Sequence, residues 1–140
     1  MTDPNVVRRA LRQQVYSHAR SDLFSYTQLM FNEAEPSGTF IEANHTKALA
    51  TAIEKVICGD TRRLLIAIPP RFGKSLLASV MAPTWILGND PSYKIVAASY
   101  GDELARVFAA QSRNIMNSRV YRELFPQASL AAGGGGHWPA

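Results

Sequence analysis

The residues best suited to chemistry are Gly73, Lys74 and Ser75, a glycine–lysine–serine tripeptide near the middle of the chain. Backbone N–H groups at the start of a helix have no intrahelical acceptor, and the helix dipole places partial positive charge there. Gly73 lets the backbone approach a phosphate closely, Lys74 can reach the β- and γ-phosphates, and the Ser75 hydroxyl can coordinate Mg²⁺. The tripeptide therefore predicts a nucleotide-phosphate site, and the alternative is an ordinary helix start that carries a surface lysine.

The predicted site extends on both sides of the tripeptide. Its phosphate-binding residues are Pro70, Arg71, Phe72, Gly73, Lys74, Ser75 and Leu76, with Lys74 and Arg71 as the catalytic residues and Ser75 as the Mg²⁺ ligand. A guanidinium in such a loop can bind the γ-phosphate and neutralise charge in the transition state. Pairing of Arg71 with a nearby carboxylate is an equally good interpretation. The common phosphate-loop pattern has a glycine where this chain has Ile68, so the match is imperfect.

The elements that must position this loop predict an α/β fold. Leu64–Ile68 is a short, continuously apolar run, typical of a strand that is buried on both faces. The loop and a helix follow, and Pro83 should kink or end that helix. Lys94–Ser99 is a second such strand, and another helix begins near Asp102. This order of strand, loop, helix, strand and helix predicts a partial parallel sheet with right-handed crossovers.

The chain divides into three predicted regions: a helical segment at 1–60, the first βαβα part of the core at 61–126, and a flexible Gly/Ala-rich tail at 127–140. Asp3-Pro4 predicts the start of the first helix, Ser21 can cap the second, and Gly59 suits a left-handed cap after the third. One face of the first helix is apolar, and four arginines decorate that helix: Arg8, Arg9, Arg12 and Arg20. A solvated face is a better interpretation of these arginines than contact with DNA phosphates.

Composition excludes several classes of protein. Hydrophobic residues make up 46% of the chain and charged residues 19%, which is typical of a globular protein rather than a disordered one. The net charge of +4 permits binding to nucleic acid without requiring it. Cys58 is the only cysteine, so no disulfide can form within the chain, and a reduced, intracellular setting fits best. No apolar stretch approaches the ~18 residues of a membrane span.

Several sequence blocks resemble the ATPase core of phage terminase large subunits. They read P-P-R-F-G-K-S at 69–75, P-T-W-I-L-G-N-D-P at 83–91, K-I-V-A-A-S-Y at 94–100 followed by G-D-E-L-A, and Y-R-E-L-F-P at 121–126. In that family the loop lacks the first glycine, so Ile68 is expected. The resemblance implies a P-loop NTPase fold of the ASCE/RecA-like type, with ATP and Mg²⁺ as cofactors.

The resemblance also implies roles for residues outside the loop. Ser99 and Tyr100, at the end of the second strand, can line the site or sense DNA, although a strand-end cap is an equally good interpretation. Asn44-His45 resembles a segment that helps to hold adenine in related motors, and an ordinary helix start is the slightly better interpretation of His45.

The function implied by the resemblance is ATP-driven translocation of DNA into a viral capsid. Its partners would be double-stranded DNA, the capsid portal and the small terminase subunit, with a homo-oligomeric ring, no membrane, and a location in the cytoplasm of the infected or lysogenic bacterial host. The family continues with an apolar strand that ends in paired acidic residues and with a nuclease domain, neither of which this sequence contains. The alternative is therefore a catalytically incomplete fragment that only binds nucleotide, DNA or terminase partners, with poor ATP hydrolysis and unpaired strand edges. A helicase or a small kinase is a third interpretation.

Overall fold

The computed structural model describes residues 3–128, and its regular structure is helical. The elements are α1 (Pro4–Ser21), α2 (Leu23–Ala34), α3 (Asn44–Ile57), α4 (Lys74–Leu76), a π-helical segment (Leu77–Met81), α5 (Ala82–Asn89), α6 (Asp102–Asn117), α7 (Arg119–Leu124) and a 3₁₀ turn (Pro126–Ala128). Most of the predicted tail, residues 129–140, lies outside the described residues.

Local capping chemistry explains where the first helices begin and end. The Asp3 carboxylate accepts a hydrogen bond from Asn5 N at 2.9 Å, and proline follows at the first helical position, as predicted. The second helix is capped by Asp22 rather than Ser21, through a 2.7 Å bond from Ser25 N. Gly59 follows α3 with φ +86°, the left-handed conformation that a helix C-terminus favours.

The core lies around α2, which packs against α1, α3, α5, α6 and the π-helical segment. Its largest fully buried side chains are Leu23, Tyr26, Met30, Leu77, Val80, Met81, Thr84, Ile115, Tyr121, Leu124 and Phe125. None of the helices within residues 3–128 has both the length and the apolar character that crossing a membrane requires.

Hydrogen bonds tie the buried polar side chains of this core together. The hydroxyls of Tyr26 and Thr84 lie 2.8 Å apart, and the Tyr121 hydroxyl donates to the Thr84 carbonyl at 2.8 Å. The indole N–H of Trp85 donates to the Ala19 carbonyl at 2.9 Å and so fastens α5 to α1. Burial raises the pKa of both tyrosines, which therefore remain neutral.

Pro83 does not end its helix, contrary to one of the predicted outcomes. The helical backbone runs without a break from Lys74 to Asn89, and it widens into a π turn just before the proline. Ala82 N bonds to the Leu77 carbonyl, five residues back. A widened turn of this kind is a known way for a helix to continue past a proline, which cannot donate a backbone hydrogen bond.

The predicted parallel sheet is wrong, because no strand occurs within residues 3–128. Both segments predicted as strands lack regular structure. Leu65 and Val96, at their centres, are each 93% exposed, whereas the prediction required burial on both faces. An α/β fold of the P-loop type is therefore not supported.

The physical reason for this error is that neither apolar segment is covered on both faces: the first packs on helices by one face, and residues 94–98 of the second are all exposed. Ile66 and Ile68 lie partly buried against the core, whereas Leu65 and Ala67, which alternate with them, are exposed. Ile95 and Ala97 line a hollow above α5 and α6, while Val96 is exposed. A strand is stabilised by hydrogen bonds to a neighbouring strand, and the described part of the chain supplies none to either segment.

Candidate functional site

The predicted phosphate loop is a tight turn that leads directly into a helix. Arg71 and Gly73 both adopt left-handed backbone conformations, with φ of +68° and +75°. Arg71 is the only non-glycine residue with positive φ among residues 3–128. Left-handed residues that alternate with right-handed ones turn successive N–H groups toward a common point, which forms an anion-binding concavity called a nest. Backbone strain at Arg71 costs on the order of 1 kcal/mol or more, and such strain is concentrated at functional sites.

The helix that follows Gly73 presents unpaired donors. No side chain caps this end, and the first helical bond runs from Leu77 N to the Gly73 carbonyl at 3.0 Å. The N–H groups of Lys74, Ser75 and Leu76 precede that bond and have no intrahelical acceptor. A Cβ built on Gly73 would meet no heavy atom within 4 Å, so an anion has space there. The start of this helix is therefore exposed and able to bind an anion.

Lys74 folds back across the loop instead of extending into solvent. Its ammonium donates to the carbonyl of Ile68 at 3.2 Å, and the side chain is partly buried. The positive charge therefore lies beside the backbone of the loop. Ser75, one residue further on, is exposed at the same helix start.

Arg71 is exposed and takes part in none of the ion pairs formed within residues 3–128. Its predicted pairing with a carboxylate is thus not seen in this structure. With Lys74, the loop carries two cationic side chains. This charge favours an anionic ligand.

A hollow of about 360 Å³ adjoins the loop, a size typical of small-molecule sites. Its lining comes from α2, the segment before α3, the start of α3 and the loop itself: Thr27, Phe31, Thr39, Phe40, Ile41, Ala43, His45, Thr46, Arg71, Phe72, Gly73, Leu76 and Leu77. The His45 and Phe72 rings meet edge to face, with centroids 5.2 Å apart. Phe31 and Phe40 form a second edge-to-face pair at 5.4 Å. The wall is mainly apolar and aromatic, and three threonines add polar groups.

The structure brings some predicted site residues together and separates others. His45 lines the same hollow as Arg71, Phe72, Gly73 and Leu76. Ser99 instead lines a different hollow of about 220 Å³ between α5 and α6, and Tyr100 is fully exposed. Asp102 is the first residue of α6, as predicted for a helix-start acid. Within residues 3–128, no group of three or more His, Cys, Asp and Glu side chains could hold a metal ion.

Sequence reasoning missed the contributions of α2 and of the segment that follows it. Phe31 and Phe40 lie far from the loop in sequence, and the short turn at Pro36–Gly38 brings them together. The local sign of this arrangement in the sequence was the presence of an aromatic residue on each side of the turn, Phe31 before it and Phe40 after it. Their position beside the loop depends on how α2 packs on the π-helical segment, which no local pattern specifies.

Comparisons of this chain with protein-family models, curated proteins and solved structures find no match. The terminase resemblance therefore rests on the sequence blocks alone. Phosphate binding at residues 70–76 can be judged from the geometry of the loop and from the groups that surround it.

Proposed function

We propose that this chain binds a purine nucleotide, with the phosphates at Pro70–Leu76 and the base in the adjoining hollow. The main support is the helix start at Lys74, which is open, has no side-chain cap from residues 3–128 and is preceded by the left-handed Arg71 and Gly73. Unpaired N–H groups, positive helix-dipole charge and a nearby ammonium together favour a polyphosphate over a neutral ligand.

Lys74 is the residue expected to bind the phosphates most strongly. In the structure its ammonium donates a hydrogen bond to a neutral carbonyl, that of Ile68. Exchanging this carbonyl for a phosphate oxygen would replace a neutral acceptor with an anionic one, which adds the attraction between opposite charges to the hydrogen bond. Arg71, which is exposed and has no ion-pair partner among residues 3–128, can supply a bidentate contact to a terminal phosphate.

The hollow suits a flat aromatic ring such as a nucleobase. Phe72 lies between the two parts of the site, because it belongs to the loop and also forms one wall of the hollow. Stacking on aromatic side chains stabilises a base by about 1–3 kcal/mol. His45, which contacts the Phe72 ring, would lie near the base, consistent with the adenine-binding role implied by the resemblance.

By resemblance the nucleotide is ATP with Mg²⁺, and the process is DNA packaging into a viral capsid, in which this chain would be the nucleotide-binding part. A bound Mg²⁺ would neutralise phosphate charge, and the exposed Ser75 hydroxyl is the group that would meet it. Tight binding with little or no turnover is the corresponding prediction for the isolated chain, since the sequence has no apolar strand that ends in a carboxylate.

A titration with fluorescent ATP in the presence of Mg²⁺ tests the proposal. Lys74→Ala should weaken binding about tenfold or more, because a hydrogen bond to a charged group contributes ~1.5–3 kcal/mol. Lys55→Ala is the matched control: it removes the same charge from an exposed site on α3 that does not line the hollow. Equal affinities for all three proteins would refute phosphate binding by the loop.

A second variant separates the base from the phosphates. Phe72→Ala should weaken ATP binding but leave inorganic tripolyphosphate binding almost unchanged, because tripolyphosphate has no base to stack. Lys74→Ala should weaken both ligands. If Phe72→Ala weakens both equally, the hollow is not a base site, and its role in the proposal is wrong. Phosphate release measured on the same samples tests the prediction of little turnover.

A further inference from the structure

The first two turns of α1 stand clear of the helical body. Residues 4–15 of α1 are all exposed, and the first tertiary contact is the ion pair between Arg12 and Glu123, followed by contacts at Tyr16 and Ala19. This part of α1 is nevertheless helical from its first residue, which the Asp3 cap explains. The structure thus presents a projecting, preformed helix.

The exposed part of α1 carries an apolar face that has no partner within residues 3–128. Val7, Leu11 and Val15 lie four residues apart, so they share one face, and they are 43%, 57% and 49% exposed. We call these three residues the α1 stripe. Val15 also lines a shallow hollow of about 350 Å³ with His18 of α1 and Leu29 of α2, so the stripe continues onto the body.

The α1 stripe is not the face by which the helix attaches to the body. Tyr16 donates a 3.0 Å hydrogen bond to Glu123, and the carbonyl of Ala19 accepts from Trp85. Arg12 lies one turn before Tyr16 and pairs with the same Glu123 carboxylate at 3.5 Å. The row from Arg12 to Tyr16 therefore faces the body, and the stripe lies about 100° around the helix from it.

The surroundings of the α1 stripe are basic. Arg8, Arg9 and Arg12 lie on the same three turns, and no acidic residue follows Asp3 in α1. Glu123 is the one carboxylate bonded to α1 side chains in the described part of the chain, and it is shared with Arg119. Arg8 and Arg9 take part in no ion pair within residues 3–128.

We propose that α1 is a docking helix for an acidic, amphipathic helix of another protein. The apolar face of the partner would cover the α1 stripe, as in other helix recognition modes that use anchors at four-residue spacing. Its flanking carboxylates would pair with Arg8, which borders the stripe, while Arg9, about 160° from Leu11 around the helix, would add positive charge without direct contact. This surface is separate from the nucleotide site, and the inference does not depend on the proposed function.

Charge and composition favour this occupant over others. A second copy of α1 would bring arginines of both helices together, which is unfavourable. Nucleic acid would pair with the arginines but would leave the α1 stripe exposed to water. An anionic membrane surface usually binds helices with large apolar side chains such as Trp, Phe and Leu, and the stripe contains two valines and one leucine.

Fluorescence anisotropy with the full chain and labelled synthetic peptides tests the proposal. The probe is a 21-residue helix-forming peptide with about six leucines on one face and glutamates elsewhere. The matched control has lysine in place of every glutamate. We expect the acidic peptide to bind at least about tenfold more tightly than the basic one, and to weaken as salt rises.

Two exposed substitutions locate the contact without disturbing the core. Leu11→Ser should weaken the acidic peptide about tenfold, since burying a leucine stabilises by roughly 1.5–3 kcal/mol. Arg8→Gln combined with Arg9→Gln should weaken it several-fold and reduce the salt dependence. Gln13→Ser is the control for Leu11→Ser, because it alters an exposed polar position on the same helix. Far-UV circular dichroism confirms that each variant folds.

Several results would overturn the proposal. Equal binding of both peptides, or unchanged binding by Leu11→Ser, would show that the α1 stripe is not the contact. The full chain could instead bind duplex DNA or anionic vesicles more tightly than the acidic peptide. If the double arginine variant loses that binding and Leu11→Ser keeps it, α1 binds those partners. A dimer in sedimentation that Leu11→Ser dissociates would identify a second copy as the occupant.

Discussion

Replacing Gly88 with alanine probes the packing that holds the C-terminal turn against α5. A Cβ built on Gly88 would lie 2.4 Å from Cδ2 and 2.5 Å from Cε2 of the Phe125 ring. Ordinary van der Waals contact begins at 3.4 Å, so the shortfall is 1.0 Å, the difference between 3.4 and 2.4 Å. The Phe125 ring is fully buried and packs against Tyr26 and Tyr121, so it has little space to move into.

Two effects of Gly88→Ala oppose each other. Alanine favours the helix over glycine by about 1 kcal/mol. Overpacking a closed core costs ~1–3 kcal/mol, and this overlap involves an aromatic ring rather than a flexible chain end. Gln127 also donates to the Gly88 carbonyl at 2.9 Å and would be displaced with the turn. We therefore expect a net loss of about 1–2 kcal/mol in the free energy of unfolding.

Urea unfolding followed by far-UV circular dichroism measures this loss. Gly101→Ala is the control, because a Cβ there meets nothing within 4 Å and its φ is −136°. Because Gly101 is the N-cap of α6 and alanine is a poorer N-cap than glycine, we expect a loss of ~0.5 kcal/mol and no overpacking. Combining Gly88→Ala with Phe125→Leu, which removes the ring, should cost less than the two changes summed. A Gly88→Ala protein at least as stable as wild type would refute the described packing of the 3₁₀ turn on α5.

Three further predictions concern other parts of the fold. Tyr121→Phe leaves the buried Thr84 carbonyl without its donor, and should cost about 1–3 kcal/mol in the same urea titration. Hydrogen bonds from Arg119 and Tyr16 hold the pKa of Glu123 below its ordinary value of 4.5. The stability that Glu123 contributes is therefore present at neutral pH. It is lost as the pH falls from about 4.5 through the pKa of Glu123 in the folded protein. Glu123→Gln should flatten that part of the pH–stability curve, measured by thermal unfolding between pH 3 and 7. Leu65→Lys with Val96→Lys should change stability by less than about 0.5 kcal/mol and reduce aggregation in light scattering, because both side chains are exposed.

Helix ends were the most predictable part of this molecule, because capping is local chemistry. The Asp3-Pro4 helix start and the left-handed Gly59 were predicted from neighbouring residues, and both are confirmed; Ser118 caps α7 by the same local chemistry. The Ser118 hydroxyl accepts from Tyr121 N at 3.2 Å. The one displaced cap, Asp22 in place of Ser21, reflects two adjacent residues that can both accept such a bond.

The sheet was the least predictable part, because burial depends on what packs against a segment. An apolar run specifies neither how many of its faces are covered nor whether a neighbouring strand is present. Leu65 and Val96 satisfy the pattern of a buried strand and are among the most exposed apolar residues. The apolar face predicted for α1 shows the same limit: its spacing is regular, and the stripe nevertheless faces solvent.

The buried polar network was beyond sequence reasoning for a related reason. The partners Tyr26 and Thr84 are 58 positions apart, and Tyr121 lies 37 positions beyond Thr84. Such bonds stabilise only after the helices have docked, so they leave no periodic signal in the sequence. The π turn before Pro83 is of the same kind, since the Thr84 hydroxyl bonds to the Val80 and Met81 carbonyls at that turn.

Because the predicted parallel sheet is absent from residues 3–128, other contacts must position the proposed phosphate site. In a parallel sheet, the edge formed by the strand ends would position the loop and could add carboxylates from neighbouring strands. In this structure the loop is positioned by the packing of the π-helical segment against α2 and α6. The groups proposed to bind the anion are the left-handed residues, the open helix start and Lys74, and all of them belong to the loop and its helix. Binding therefore needs only this local geometry, whereas hydrolysis also needs a group that orients water, and that group must come from outside the loop.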